Sequence, residues 1–131
     1  MLRYSAHSDA TPGELWPLLA RPDRWPEWAP HVRGAWGLGS PEVARGARGA
    51  ARLLGFVPVP ATIVRKRQGL SWAWQVGPVD MDHRLVPQQR GTDVEVTVKA
   101  PRAIEMALST TYGPLMKLAL RRLASRPGSV G

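Results

Sequence analysis

The alternation of apolar and polar positions is clearest between residues 92 and 100. Val94, Val96 and Val98 alternate with polar residues, which predicts a strand with one buried face and one solvated face. Similar short runs separated by Gly and Pro predict strands at 2–8, 32–38, 46–54, 59–67, 70–77, 80–87 and 92–100. Because successive runs are joined by tight connections, we expect an antiparallel meander.

The pattern changes to helical spacing after Pro101 and predicts a helix over residues 102–124. Its apolar face is formed by leucine and isoleucine at Ile104, Leu108, Leu115, Leu118 and Leu123. Pro114 follows Gly113 and lacks an N–H group, so we expect a kink in the middle of this helix. Residues 125–131 are expected to form a loose tail.

Two shorter helices are predicted between the first and second strands. Thr11 can cap a helix that has proline at its first position and Glu14 three residues after the cap. Pro17 lies inside this helix, so we expect it to be short or bent. Residues 21–28 then predict a second helical turn, in which Trp25 and Trp28 share one side.

Length, composition and charge narrow the class of protein. A chain of 131 residues without a long linker predicts a single domain over 1–131, with its core at 2–124. The chain has no cysteine, which excludes disulfides and thiolate chemistry. We expect a cytoplasmic protein, because the N-terminus lacks the layout of a signal peptide and no run approaches the roughly 18 apolar residues of a membrane span.

The formal charge of +8 raises the question of an anionic partner. The basic residues are scattered along the chain, for example at Arg45, Arg65 and Arg121. This distribution favours a solvated basic surface over a patch that binds nucleic acid or an anionic membrane.

The order of elements and three short segments resemble the SRPBCC superfamily. The segments are 10–16 (ATPGELW), 22–28 (PDRWPEW) and the strand-loop-strand region from His83 to Thr92. This group includes START-like lipid-binding domains, birch-pollen-allergen-like proteins and polyketide cyclase/dehydrase-like proteins. The resemblance implies an α+β helix-grip fold, in which a curved antiparallel seven-stranded sheet wraps around a long C-terminal helix. Members differ in ligand and reaction, so the resemblance is specific for the fold.

A curved sheet and a single helix are expected to leave an apolar cavity between them, and typical ligand cavities measure about 300–1,000 Å³. Trp72 and Trp74 share one side of their predicted strand and could stack on a planar ligand or simply fill the core. The same alternatives apply to Trp36. Trp25 and Trp28 are expected to pack the short helices against the sheet.

Three further residues are candidates for polar contacts with a ligand. His83 lies between two apolar residues of its strand and could act as a general acid or base, or as a structural hydrogen-bonding group. If the faces of that strand are reversed, Arg84 enters the cavity and could hold an anionic oxygen. Tyr112 precedes the predicted helix kink and could donate a hydrogen bond into the cavity or to a neighbouring strand.

The sequence gives no support for a metal or a nucleotide cofactor, so we expect neither. Its three histidines, His7, His31 and His83, are far apart and form no close ligand pair. The chain also lacks a glycine-rich phosphate-binding motif.

Three hypotheses follow for the function. The first is binding of a small hydrophobic or aromatic molecule in the cavity, with Trp36, Trp72, Trp74, His83, Arg84 and Tyr112 as candidate contacts. The second is an enzyme that resembles polyketide cyclases or dehydratases, in which His83 or Tyr112 moves protons. The third is an interaction or stress-related module that uses the basic surface. Both a monomer and a homodimer are compatible with the sequence.

Overall fold

One antiparallel sheet of seven strands forms the framework of the molecule. The computed structural model describes residues 1–29, 31–53 and 57–125. The strands are β1 (Leu2–Ser8), β2 (Val32–Trp36), β3 (Arg48–Leu53), β4 (Val57–Arg67), β5 (Ser71–Val76), β6 (Val79–Pro87) and β7 (Thr92–Lys99). Their spatial order is β1-β7-β6-β5-β4-β3-β2. The predicted meander is therefore confirmed from β2 to β7, and β1 pairs with β7 at one edge.

Four helical segments accompany the sheet: α1 (Pro12–Ala20), a 3₁₀ helix (Pro22–Glu27), α2 (Arg102–Thr111) and α3 (Gly113–Ser125). The predicted cap of α1 is confirmed, because the Glu14 N–H donates to Thr11 Oγ1 at 3.2 Å and the Thr11 N–H donates to Glu14 Oε1 at 3.1 Å. None of the helices in the described ranges is long and apolar enough to cross a membrane.

The C-terminal helix is divided where the sequence predicted a kink. Tyr112 separates α2 from α3, and Pro114 in the first turn of α3 cannot donate to the Thr110 carbonyl. Ser125 is the last residue of α3, which corrects the expected start of the tail by one position. Residues 126–131 of the predicted tail lie outside the described part of the chain.

Helix α3 supplies the buried side of the C-terminal segment. Its buried residues recur at helical spacing and are Gly113, Met116, Ala119, Leu120, Leu123 and Ala124. The prediction that Leu118 belongs to this face is wrong, since 38% of Leu118 is exposed. The end of α3 is fixed to β1 by the Ser8 hydroxyl, which donates to the Ala124 carbonyl at 2.6 Å.

Helix α2 differs from α3 because none of its residues is fully buried. Ile104 and Leu108 are half-buried, and Met106 is 64% exposed. Displacing α2 would therefore expose much less apolar surface than displacing α3.

A β-bulge in β2 decides where Trp36 points. Strict alternation would place Trp36 on the same face as Val32, which is buried. The register between β2 and β3 shifts between Val32 and Gly34, and a bulge of one residue inverts the faces beyond it. Ala35 therefore pairs with the buried Ala51 instead, and Trp36 faces outward.

Candidate functional site

Three aromatic rings form a continuous stack inside the sheet. Trp72 on β5 lies directly opposite His83 on β6, and their rings stack at 3.9 Å between centroids and 14° between planes. Trp25 from the 3₁₀ helix stacks on Trp72 at 5.1 Å and 11°. In this structure, Trp25 and His83 therefore cover both faces of Trp72, so a ligand can stack on Trp72 only if one of them moves.

Trp74 closes the side of this stack. Its ring stands nearly perpendicular to Trp25, Trp72 and His83, with centroid distances of 5.3, 5.5 and 6.0 Å. Such edge-to-face contacts between aromatic rings are favourable. Its indole N–H donates to the sulfur of Met81, the residue opposite it on β6, at 3.4 Å. We call Trp25, Trp72, Trp74 and His83 the aromatic cluster.

The indole N–H groups around the cluster bond to the end of α1. The Leu18 carbonyl has no donor four residues later, because that residue is Pro22, and it accepts from Trp28 Nε1 at 2.8 Å. The Leu19 carbonyl accepts from Trp25 Nε1 at 2.8 Å and Trp72 Nε1 at 3.0 Å. Helix α1, the 3₁₀ helix and β5 are thereby held together, and the predicted packing role of Trp25 and Trp28 is confirmed.

A buried histidine–tyrosine pair lies beside the aromatic cluster. His31 precedes β2, Tyr112 separates α2 from α3, and His31 Nε2 lies 2.8 Å from Tyr112 Oη. Only 5% of His31 is exposed. Its other ring nitrogen, Nδ1, is buried and has no hydrogen-bond partner among the described residues. Because a buried polar atom without a partner is costly, this nitrogen marks a place where a further polar group would be stabilised.

Burial sets the protonation of the polar groups at the site. It lowers the pKa of His31 to about 4 and raises the pKa of the Tyr112 phenol. It also lowers the pKa of His83 to about 4, although a backbone hydrogen bond with Trp72 opposes this shift. At neutral pH both histidines and the phenol are therefore uncharged, and they can donate or accept hydrogen bonds without a buried charge.

The cavity between these groups is small. It has a volume of about 20 Å³ and is bordered by the aromatic cluster, the His31–Tyr112 pair, Met116 and three neighbouring residues. Among the described residues that line it, none is Lys, Arg, Asp or Glu. The cavity that the described residues enclose is therefore much smaller than the ligand cavity that the sequence predicted. The reason is that Trp25 extends from the 3₁₀ helix into the space between the sheet and α3.

The structure brings together four of the six predicted contact residues. Trp72, Trp74, His83 and Tyr112 all border the cavity. The prediction for Trp36 is corrected: it is 49% exposed, and the Arg52 guanidinium lies 5.8 Å from its ring centroid. Arg84 is also excluded from the cavity.

Arg84 lies on the outer face of the sheet because residues of β6 alternate between the two faces. Its Nε donates to Asp82 at 3.0 Å, and Arg65 bonds to Asp80 through both terminal nitrogens at 3.1 and 2.7 Å. Arg65 reaches β6 across the small Ala73, which is paired with both Arg65 and Asp82. These arginines are therefore paired with carboxylates on the opposite face from His83.

Six cavity residues were not identified as ligand contacts from the sequence, among them His31 and Trp25. His31 lies 81 residues from Tyr112, and no local pattern connects them. Trp25 was expected to pack on the sheet, but nothing in its spacing showed that it would stack on Trp72. Only the fold brings these side chains together.

A second concavity lies on the surface along β1 and α3. It is an open groove of about 930 Å³ whose lining includes Arg3, His7, Lys117 and Arg121. Its lining residues do not overlap with those of the aromatic cavity. In the part of the chain that the structure describes, no group of three or more His, Asp or Glu side chains could hold a metal ion.

Comparisons with known proteins agree with this architecture. The solution structure of a Thermobifida fusca protein is 17% identical, covers 98% of this chain and 93% of its own, and has a TM-score of 0.76. A crystal structure from Rhodobacter sphaeroides is 19% identical over 99% and 93%, with a TM-score of 0.72. Ara h 8.0201 is 11% identical over 95% and 97%, with a TM-score of 0.62. A search of curated proteins gave no match.

The seven-stranded antiparallel sheet, the C-terminal helical segment and these structural matches define the helix-grip fold. A family model described as polyketide cyclase / dehydrase and lipid transport matches residues 2–127. The chain belongs to this family, and together with the fold this match places it in the SRPBCC superfamily.

Proposed function

We propose that this protein binds a small hydrophobic or aromatic molecule between the sheet and the C-terminal helical segment. The observation that carries the proposal is the buried His31, whose Nδ1 has no hydrogen-bond partner among the described residues and whose ring borders, together with Tyr112, a cavity otherwise lined by apolar and aromatic side chains. A purely structural core would be more stable with apolar groups in these positions. The family description, which includes lipid transport, supports a hydrophobic ligand.

Binding requires the cavity to widen, and the structure contains an element suited to this movement. Helix α2 has no buried residue and ends at Thr111, directly before the interruption of the helical segment at Tyr112. Its displacement therefore breaks few apolar contacts and opens a path beside the His31–Tyr112 pair. Displacement of Trp25 from its stack on Trp72 would then provide room for an aromatic ligand.

The indole N–H signals of the protein offer a direct test. We expect naphthalene, 2-acetylnaphthalene or decanal to shift the ¹H–¹⁵N signals of Trp25, Trp28 and Trp72, because these indoles border the cavity or bond beside it. Trp36 is the internal control, since its exposed ring lies outside the cavity and its signal should remain unchanged. The melting temperature should rise as these ligands bind.

The proposal is wrong if saturating concentrations of these probes leave the three buried indole signals and the melting temperature unchanged. A shift confined to Trp36 would indicate adsorption to the surface and would also contradict it. Both outcomes can be read from the unmodified protein.

A second candidate is a cyclase- or dehydratase-like enzyme, which the contact between the Tyr112 phenol and the His31 imidazole favours. The pKa shifts argue against rapid proton transfer, since burial makes His31 a weaker base and Tyr112 a weaker acid. These pKa shifts are more consistent with a His31–Tyr112 pair that orients a carbonyl group of the substrate by hydrogen bonding. His83 is a weaker candidate for proton transfer in such an enzyme, because one face of its ring is covered by Trp72.

Turnover of a short poly-β-ketone analogue, followed by mass spectrometry, separates the two candidates. If the protein is an enzyme, Tyr112→Phe should reduce the rate at least tenfold, because only the hydroxyl is removed. Ser5→Ala on β1 is the control and should retain the full rate, since Ser5 is exposed and is not among the residues that line the cavity. Absence of turnover by the unmodified protein would contradict this candidate and leave ligand binding as the function.

A further inference from the structure

The His31–Tyr112 pair restricts the chemistry of the ligand, and this inference rests on the proposed function. We infer that the preferred ligand is uncharged and carries a ketone or hydroxyl group that hydrogen-bonds to His31 Nδ1. The site would therefore select against carboxylates such as fatty acids. The inference combines a buried nitrogen that has no partner among the described residues with a cavity whose described lining contains no charged residue type.

Either tautomer of neutral His31 is complementary to a hydroxyl group, and the tautomer with its proton on Nδ1 is also complementary to a ketone. If the Tyr112 hydroxyl donates to Nε2, the proton of the imidazole is on Nδ1, which can donate to a ketone or hydroxyl oxygen. If Nε2–H donates to Tyr112, Nδ1 is an acceptor and can receive a proton from a hydroxyl group. In both cases the complementary ligand group is neutral.

The distribution of charge explains why a carboxylate fits less well. The arginines on the neighbouring strands, Arg65 and Arg84, lie on the outer face and are paired with Asp80 and Asp82. A carboxylate in the cavity would thus lose its hydration without gaining a cationic partner. Protonation of His31 would provide one, but burial opposes it by lowering the histidine pKa to about 4.

The apolar remainder of the cavity fits the same ligand. Trp25, Trp74 and Met116 border the cavity together with the polar pair. A ligand whose ring or chain contacts these side chains can place a single polar group against His31. We therefore expect one polar group at one end of an otherwise apolar molecule.

A matched series of three naphthalenes tests this inference on the unmodified protein. 2-Acetylnaphthalene carries a ketone, naphthalene has no polar group, and 2-naphthoate carries a carboxylate on the same ring system. At pH 7 we expect isothermal titration to give about tenfold tighter binding of the ketone than of naphthalene, the scale of one buried hydrogen bond. We expect naphthoate to bind at least tenfold more weakly than the ketone. The ¹⁵N signal of His31 Nδ1 should shift with the ketone and remain unchanged with naphthalene.

Two variants connect the preference to the polar pair. His31→Phe should abolish the preference for the ketone and leave the affinity for naphthalene within about threefold. The double variant His31→Phe/Tyr112→Phe serves if the single variant does not fold, because replacing both partners with apolar rings leaves no buried polar group unsatisfied. It too should bind naphthalene without a preference for the ketone.

The outcomes separate this inference from the proposed function. Equal affinities for the ketone and naphthalene, or tighter binding of naphthoate, would overturn the inference while supporting an apolar ligand site. Retention of the ketone preference in the double variant would also overturn it. If none of the three compounds binds, both the proposed function and the inference fail.

Discussion

Lowering the pH from 7 to 4 is expected to reduce the free energy of unfolding by about 3 kcal/mol for each of the two buried histidines. Burial lowers the pKa of His31 and of His83 to about 4, from the ordinary histidine value of 6.5. Below pH 6.5 the unfolded chain therefore binds protons that the folded chain does not bind. Their stabilising contribution is complete above pH 6.5 and is lost as the pH falls towards 4. Each shift of about 2.5 units corresponds to about 3 kcal/mol.

Urea unfolding between pH 6.5 and pH 5 measures this effect with little contribution from carboxylates. The unfolded histidines are half protonated at pH 6.5 and almost fully protonated at pH 5, so the two together give a mean slope of about 2 kcal/mol per pH unit. His31→Phe or His83→Phe should each reduce the slope by about half. Trp36→Phe is the control, since its ring is exposed and does not titrate, and it should retain the slope of the unmodified protein. A slope below about 0.7 kcal/mol per unit would contradict the burial of both histidines as neutral groups.

The sequence separated the two faces of β5 and β6 but left open which face of β6 is inside. Trp72 and Trp74 alternate with smaller residues, and His83 alternates with Arg84, so the members of each set share one face of the sheet. The structure confirms that His83 is inside and Arg84 outside. Such patterns are local and depend only on the period of an extended chain, which explains why they could be recognised.

The bulge in β2 shows the limit of predicting strand faces from the alternation of residues within one strand. The residue types at Arg33 and Gly34 do not predict a β-bulge. The shift in strand register can be recognised only from the pairing of β2 with β3. Because one extra residue inverts every side chain beyond it, Trp36 moved from the expected inner face to the surface. Prediction of this position needs the partner strand as well as the strand itself.

The candidate site could be predicted only in part, for a related reason. Tyr112 was identifiable from the interruption of the helical pattern, but its partner His31 is distant in sequence. Likewise, the volume of the cavity depends on the direction of a single side chain, Trp25, which leaves a short 3₁₀ helix and stacks on β5. These contacts are set by the packing of separate elements and not by any local period.

Trp25→Ala should lower the free energy of unfolding by about 3–5 kcal/mol. The indole is 2% exposed, stacks on Trp72 and donates to the Leu19 carbonyl. Removing it leaves a cavity that the surrounding rings cannot fill, the usual origin of losses of this size. The Leu19 carbonyl keeps the hydrogen bond from Trp72, so the main loss is of packing. Trp36→Ala is the matched control, and we expect it to cost less than about 1 kcal/mol, since its ring is exposed.

The same variant shows whether Trp25 limits the binding of ligands. Free indole should bind in the space left by the side chain and, at ten times its dissociation constant, restore about 1.4 kcal/mol of stability, with no effect on Trp36→Ala. Naphthalene should also bind more tightly to Trp25→Ala than to the unmodified protein, since its binding no longer includes displacement of the indole from Trp72. Equal naphthalene affinities would mean that Trp25 does not obstruct the site. The ligand would then have to occupy a part of the interior that leaves the aromatic stack intact.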